Sequence, residues 1–281
     1  MAAPAKVTLS LDVRPEPEAG WHEVDLVLYR IAAADRLELK PAAEPCFEVS
    51  GFDLTPAPEN LAWRAVRLLE EIVGVSLSVR VTLEKAIPAG AGLGGGSADA
   101  AAVLRWGMAQ YPEARADIQN AAERLGMDVP FLTGIAGRCA RATGRGEILQ
   151  ALAEPEQGTL VIAYPGIPLL TKAVYAAFDA VGPVAPPATP AVVDALQARV
   201  IPFKLGNQLE HAAFHVAPDL EHFRSRLEQL GAPPERTVMS GTGSSYVVWL
   251  SDHTEAVALA AALRQAGLPF VQTEKLGKGG S

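Results

Sequence analysis

The chain has 281 residues, 49% of them hydrophobic, with 24 basic against 32 acidic side chains and a formal charge of −8. That is apolar material for one large domain or two compact ones, and the acidic balance argues against partnership with nucleic acid or an anionic membrane. The opening residues lack a secretory pattern, no apolar run is long enough to span a bilayer, and Cys46 and Cys139 fit neither a disulfide framework nor a zinc site. A cytoplasmic protein with two buried, apolar cysteines is expected, and no obligate protein partner is implied.

Val7 to Val13 alternates apolar and polar residues and reads as a strand entering a turn over Pro15 to Gly20. A second strand is expected over Glu23 to Tyr29, with Arg36 to Lys40 and Cys46 to Ser50 also extended. Asn60 precedes a helical apolar spacing from Leu61 and is suited to cap it. Ser76 to Leu83 alternates again, a glycine-rich loop covers Pro88 to Ser97, and Ala98 to Met108 reads as helix. A shorter helix is expected over Ala114 to Leu125, then a turn over Gly126 to Phe131 in which Pro130 keeps Val129 away from helical angles.

Leu160 to Tyr164 opens what reads as a second lobe, and Gly182 to Pro190 is the most linker-like segment. Helix follows over Gln208 to Leu230, a glycine turn with strand over Ser240 to Leu250, helix over Thr254 to Ala266 and strand over Leu268 to Thr273. The order is that of an α+β fold. Residues 1–152 and 153–281 are taken as the two lobes, and the tail Lys278 to Ser281 as disordered.

Gly92, Gly94, Gly95 and Gly96 have no Cβ, so consecutive backbone N–H groups can converge on an anion at a helix start, where the macrodipole also favours negative charge. A Walker loop would end in Gly-Lys-Ser/Thr, and a dinucleotide fingerprint would open the first βαβ unit. Neither fits, which leaves phosphate binding against a plain flexible turn. A Gly95→Val side chain is expected to block close backbone approach and to conflict with a positive φ.

The run Pro88-Ala89-Gly90-Ala91-Gly92-Leu93-Gly94-Gly95-Gly96-Ser97-Ala98-Asp99 resembles the ATP-phosphate loop of the GHMP kinases. Pro4-Ala5-Lys6-Val7 with Gly20-Trp21-His22-Glu23, Gly126 to Phe131, and Ser240 to Ser245 match the same family in the same order, with weaker matches at Asn60-Leu61 and Gly206 to Glu210. The extra glycines and the following Asp point to the branch whose alcohol substrate carries a cytidine diphosphate moiety. Thr8, Trp21 and Gln208 depart from the family's usual Asn, Tyr and Asp.

The resemblance implies a two-lobed fold, a ribosomal-S5-like amino-terminal lobe and a ferredoxin-like carboxy-terminal lobe with the active site between them, using ATP and Mg2+. It makes Asp128 the base and Lys6 its partner, which would hold the carboxylate ionised and offset charge on the transferred phosphoryl group. Read alone, Asp128 serves equally as a turn cap and Lys6 as a solvated strand-end lysine.

Asn60, Pro88, Gly90, Gly92, Leu93, Gly94, Gly95, Gly96 and Ser97 are implied for ATP. Trp21, His22, Thr171 and Tyr175 are implied for the cytidine end, and Gly241, Thr242 and Gly243 for the substrate's phosphates. No residue is assigned to a metal; Ser97 reads equally as a metal or phosphate contact and as a helix cap. Other GHMP kinases, acting on homoserine, mevalonate or a sugar, and a non-catalytic nucleotide-binding relative stay open.

Overall fold

The computed structural model describes residues 1–14, 21–52 and 55–277; the turn read over Pro15 to Gly20 and the tail Lys278 to Ser281 lie outside them. The chain falls into two compact units that interleave along the sequence, a different division from a single cut at 152/153. The first comprises Met1–Lys6, Arg30–Ala89 and Gly94–Ile135, and the second Val7–Tyr29, Gly90–Leu93 and Ala136–Ser281. Two long strands, β1 (Ala2–Val13) and β2 (Val24–Pro41), contribute one half to each.

In the first unit the second half of β2 pairs antiparallel with β4 (Val79–Lys85), which pairs in parallel with β3 (Cys46–Gly51). Helix α1 (Leu61–Val73) begins at Asn60, whose Oδ1 accepts from Ala62 N–H at 3.0 Å, and ends at Gly74 with φ 71°. The apolar face of α1, Ala62, Ala65, Val66, Leu68 and Leu69, is buried at helical spacing. It lies close against α2 (Gly95–Gln110): a Cβ on Gly107 would come within 2.4 Å of Leu69 Cδ2. Every residue of α2 from Ala98 to Leu104 is buried, so this helix has no polar face over two turns. Helices α3 (Arg115–Asn120) and α4 (Val129–Leu132) complete the unit.

In the second unit the first half of β2 pairs with β5 (Cys139–Thr143), which pairs with β6 (Ile148–Ala151). The antiparallel sheet in the order β11-β7-β10-β9 joins β7 (Thr159–Tyr164), β9 (Thr237–Met239), β10 (Tyr246–Leu250) and β11 (Phe270–Lys275). Strands β7 and β10 are buried along their whole length, as a sheet covered on both faces requires. Helices α5 (Thr171–Val181), α6 (Thr189–Gln197), α7 (Glu210–Val216), α8 (Asp219–Gln229) and α9 (His253–Gln265) accompany it, and the short β8 (Gly206–Asn207) pairs in parallel with β1 at Ser10 and Leu11.

Several expectations need correction. The two extended stretches expected at Glu23 to Tyr29 and Arg36 to Lys40 fall in one strand, Val24–Pro41, within which Asp35 turns a buried carboxylate inward. Val129 is helical: Pro130 sits in the first turn of α4, where no N–H is needed. The helix expected over Gln208 to Leu230 is two, since Pro218 holds Ala217 in extended geometry between them. The Ala114 to Leu125 helix shortens to α3 followed by a 3-10 turn at Ala122–Arg124. Cys139 is buried, and burial pushes its thiol up to about 12, but Cys46 is only half-buried.

Buried in the first unit is an ionic cluster that the sequence pattern did not announce. Lys85 Nζ donates to Asp35 Oδ2 and to Asp99 Oδ2, the latter at 2.6 Å, while Asp35 Oδ1 accepts from the N–H groups of Ala86 and Ile87 at 2.6 and 2.8 Å. One ammonium faces two carboxyl groups in a dry interior, so one of the two keeps its proton. Burial above all, with Asp35 adding to it and Lys85 opposing it, raises Asp99 to about 8.

Because its folded pKa lies above the unfolded value, Asp99 contributes stability that declines as pH rises from about 4 through about 8. Part of that decline falls between about pH 6 and pH 8. Asp99→Asn, which mimics the protonated carboxyl, is expected to remove this part of the slope in urea unfolding at the two pH values. An unchanged slope would show that Asp99 does not hold the proton.

Candidate active site

Gly94 precedes α2 in the left-handed conformation, φ 68°, and no side chain caps the helix. The N–H groups of Gly95, Gly96 and Ser97 lie ahead of the first intrahelical bond, from Ala98 N–H to Gly94 O at 2.8 Å, and form the positive end of the dipole. Positive φ occurs at Gly90, Gly92 and Gly94 but not at Gly95 or Gly96, so the conformational argument for Gly95 fails. A Cβ there would meet buried Ile87 Cγ2 at 3.0 Å and Lys85 Nζ at 3.2 Å, so a larger side chain at Gly95 is opposed by packing within the unit.

Beside that helix start lie Lys6, from β1, and Asp128, from the turn before α4. Lys6 Nζ is 3.4 Å from Asp128 Oδ2, with the lysine side chain 6% and the aspartate 34% exposed. A Cβ on Gly94 would stand 3.1 Å from Lys6 Cε and 3.6 Å from Asp128 Oδ2. The absence of a side chain at Gly94 therefore leaves the ion pair open to the uncapped end of α2. Although Asp128 occupies the N-cap position of α4, its carboxylate makes no capping hydrogen bond, which removes the observation a cap-only role would need.

Ser97 is three residues past the N-cap of α2 and is not itself the cap. Asn60 is a cap, buried and bonded to Ala62 N–H and Thr55 O; the start of its helix approaches that of α2, where a Cβ on Gly96 would touch Leu61 Cδ1 at 3.4 Å. Pro88 is buried, and so is Leu93 in the second unit, so both support the loop by packing.

Within the second unit, the segment Gly90–Leu93 is laced to two loops. Ser240 Oγ donates to Gly92 O at 2.9 Å, Ser245 N–H to Ala91 O at 3.0 Å and Leu169 N–H to Gly90 O at 3.0 Å. Gly92, at φ 75°, has Ser240 O where a Cβ would be, 2.1 Å away. Asn207 Nδ2 donates to Met239 O and Gly241 O at 2.8 and 2.7 Å and fixes the other side of the loop. The N–H of Gly243 is committed to Ser240 O, and of Gly241, Thr242 and Gly243 only Thr242 is incompletely buried. The Thr242 hydroxyl stands 3.3 Å from that of Thr171. Gln208 accepts from Val13 N–H and donates to Ala185 O, a pairing that a carboxylate could not complete.

Also in the second unit, His22 packs against Tyr175 with ring centroids 5.0 Å apart, and against Phe178 edge-on at 5.8 Å. Its Nε2 meets Asp179 Oδ1 at 2.6 Å. Trp21 is 58% exposed, with the Arg145 guanidinium over its ring at 5.3 Å; Gly20, of the same motif, lies outside the described residues.

The structure thus gathers Lys6, Asp128, Gly94, Gly95 and Ser97 in one unit. In the other it brings together His22 with Tyr175, and Gly92 with the Ser240 loop. The sequence motifs included Ser240 and Asn207 without giving either a role of its own, and the sequence reading missed Asp179, Arg145 and the Lys85 cluster. Asp179 had a signal, since it follows Tyr175 by one helical turn and shares its face.

Residues 60–134 match the family model of the GHMP kinases N terminal domain. A relative from Thermus thermophilus named 4-diphosphocytidyl-2-C-methyl-D-erythritol kinase is 40% identical over 281 residues, covering 99% of this chain and 98% of that protein. A crystal structure described as 4-(cytidine 5'-diphospho)-2C-methyl-D-erythritol kinase matches with a TM-score of 0.79 at 39% identity, covering 99% of both chains. Homoserine kinase from Cytophaga hutchinsonii matches with a TM-score of 0.68 at 14% identity, a likeness of fold alone.

Proposed function

The chain belongs to the 4-diphosphocytidyl-2-C-methyl-D-erythritol kinase branch of the GHMP kinase family, and from that premise we propose that it transfers the γ-phosphoryl group of ATP to the 2-hydroxyl of 4-diphosphocytidyl-2-C-methyl-D-erythritol. The observation that carries the chemistry is the Lys6–Asp128 pair set against the uncapped start of α2. Backbone N–H groups of Gly94 to Ser97 receive the triphosphate, with Asn60, Pro88, Gly90, Gly92 and Leu93 completing the ATP side.

Asp128 accepts the proton of the hydroxyl as its oxygen bonds to the γ-phosphorus and the bond to ADP breaks. Lys6 pairs with the ionised carboxylate and offsets the charge spreading over the transferred group. Trp21, His22, Thr171 and Tyr175 hold the cytidine end, and Gly241, Thr242 and Gly243 the diphosphate, so that remote binding orients the reacting hydroxyl.

Magnesium enters this reading as the companion of ATP. Among the described residues no group of three or more carboxylate, histidine or cysteine side chains is placed to hold a metal ion. The product serves isoprenoid precursor synthesis, a cytoplasmic role, and no helix of the described residues is long and apolar enough to cross a membrane.

Purified protein is expected to release ADP from ATP only when 4-diphosphocytidyl-2-C-methyl-D-erythritol is present. Equal turnover with mevalonate or homoserine, followed by coupled ADP detection, would remove the substrate assignment.

A further inference from the structure

The His22–Asp179 contact reaches beyond holding a base to choosing one. His22 comes from the start of β2's approach, Asp179 from α5, and at 2.6 Å their contact is a short, charge-assisted hydrogen bond. The ring cannot easily turn away from it. Its side chain is only 9% exposed, with Tyr175 tilted 32° against one side and Phe178 edge-on at 79°. Phe178 and Asp179 each lie about one turn beyond Tyr175 on the same helix, so a single element sets both the ring's packing and its hydrogen bond.

A carboxylate only accepts hydrogen bonds, so the nitrogen facing Asp179 carries the proton, and in the neutral ring the other nitrogen, Nδ1, is then an acceptor. Cytosine presents an exocyclic amine, a donor, at the position where uracil presents a carbonyl oxygen, an acceptor. We propose that Asp179 is a specificity-determining positioning residue, fixing the His22 tautomer so that Nδ1 accepts from the cytosine amine and repels uracil. The inference rests on the reading that Trp21, His22 and Tyr175 hold the pyrimidine, and adds to it the residue that decides which pyrimidine is held. An asparagine at 179 could turn its amide toward Nε2 and donate, which would release the opposite tautomer.

The test is calorimetric binding of CDP and of UDP, at one fixed pH, to wild type, Asp179→Asn and His22→Ala, with ATP binding measured alongside. Wild type is expected to prefer CDP by about tenfold or more, the scale of a hydrogen bond made by one base and denied by the other. Asp179→Asn should bring the CDP to UDP ratio close to one while ATP affinity stays as in wild type, and long-range nitrogen–proton spectra should show the proton shifting from Nε2 toward Nδ1 of His22. An Asp179→Asn protein that keeps the wild-type ratio, while His22→Ala loses CDP affinity, overturns the tautomer proposal and leaves the base site standing. Equal binding of CDP and UDP by wild type, or His22→Ala with undiminished CDP affinity, overturns the base-site reading and the proposal with it.

Discussion

Asp128→Asn is expected to lower turnover by roughly 10²–10⁴ while ATP and substrate affinities change little, because the amide keeps the shape and hydrogen-bonding reach of the carboxylate but cannot take up the proton. Lys6 lies 3.4 Å from the same carboxylate, so Lys6→Met should also lower turnover. Two residues acting as one unit give non-additive losses, and the double variant should lose far less than the product of the two single losses. The competing account, a structural cap, predicts a fall in thermal stability with near-normal turnover per folded molecule. The Asp128 carboxylate makes no capping hydrogen bond and faces Lys6 instead, which favours the first pattern. Single-turnover rates and melting temperatures on the three variants separate the two, and near wild-type turnover by Asp128→Asn would take it out of the chemistry.

The second large effect is expected at Gly92. A valine there must adopt φ 75°, which costs about 1–2 kcal/mol for a residue with a Cβ, and must displace the Ser240 carbonyl from 2.1 Å, an overpacking that adds about 1–3 kcal/mol. The neighbour that would have to move is backbone, tied in turn to Gly92 O through the Ser240 hydroxyl, so local give is small. Gly92→Val should therefore lose both stability and nucleotide-dependent turnover. Gly96→Ala is the comparison: its Cβ would meet only Leu61 Cδ1 at 3.4 Å, inside a helix where alanine is the better residue by about 0.5–1 kcal/mol. Urea unfolding of the two variants should place Gly92→Val well below wild type and Gly96→Ala at or above it; equal stability would mean that Gly92 is an ordinary turn residue.

The contrast between these glycines shows where the sequence was legible and where it was not. A run of glycines before an alanine-rich helix reads as backbone approach to an anion, and the helix begins there with no side-chain cap, beside Lys6 and Asp128. Which glycine serves which purpose depends on partners far along the chain: Ser240 for Gly92, Lys6 and Asp128 for Gly94, Ile87 and Lys85 for Gly95. No local pattern carries that information. The same holds for Asp35, a polar residue inside a strand that reads as a break until its partners Lys85, Ala86 and Ile87 are known. Pro130 and Pro218 show the opposite case, in which the local rule was available but position within the turn decided its effect. Pro130 falls where a helix tolerates proline, whereas Pro218 falls where it separates α7 from α8.

Phosphorus NMR of the reaction mixture tests the central claim most directly. With ATP and 4-diphosphocytidyl-2-C-methyl-D-erythritol supplied together, the account predicts one new phosphomonoester resonance, coupled to no proton because its oxygen sits on the tertiary carbon, and its disappearance in Asp128→Asn over the same time. A resonance coupled to methylene protons, or release of inorganic phosphate without any phosphorylated cytidine compound, would contradict it.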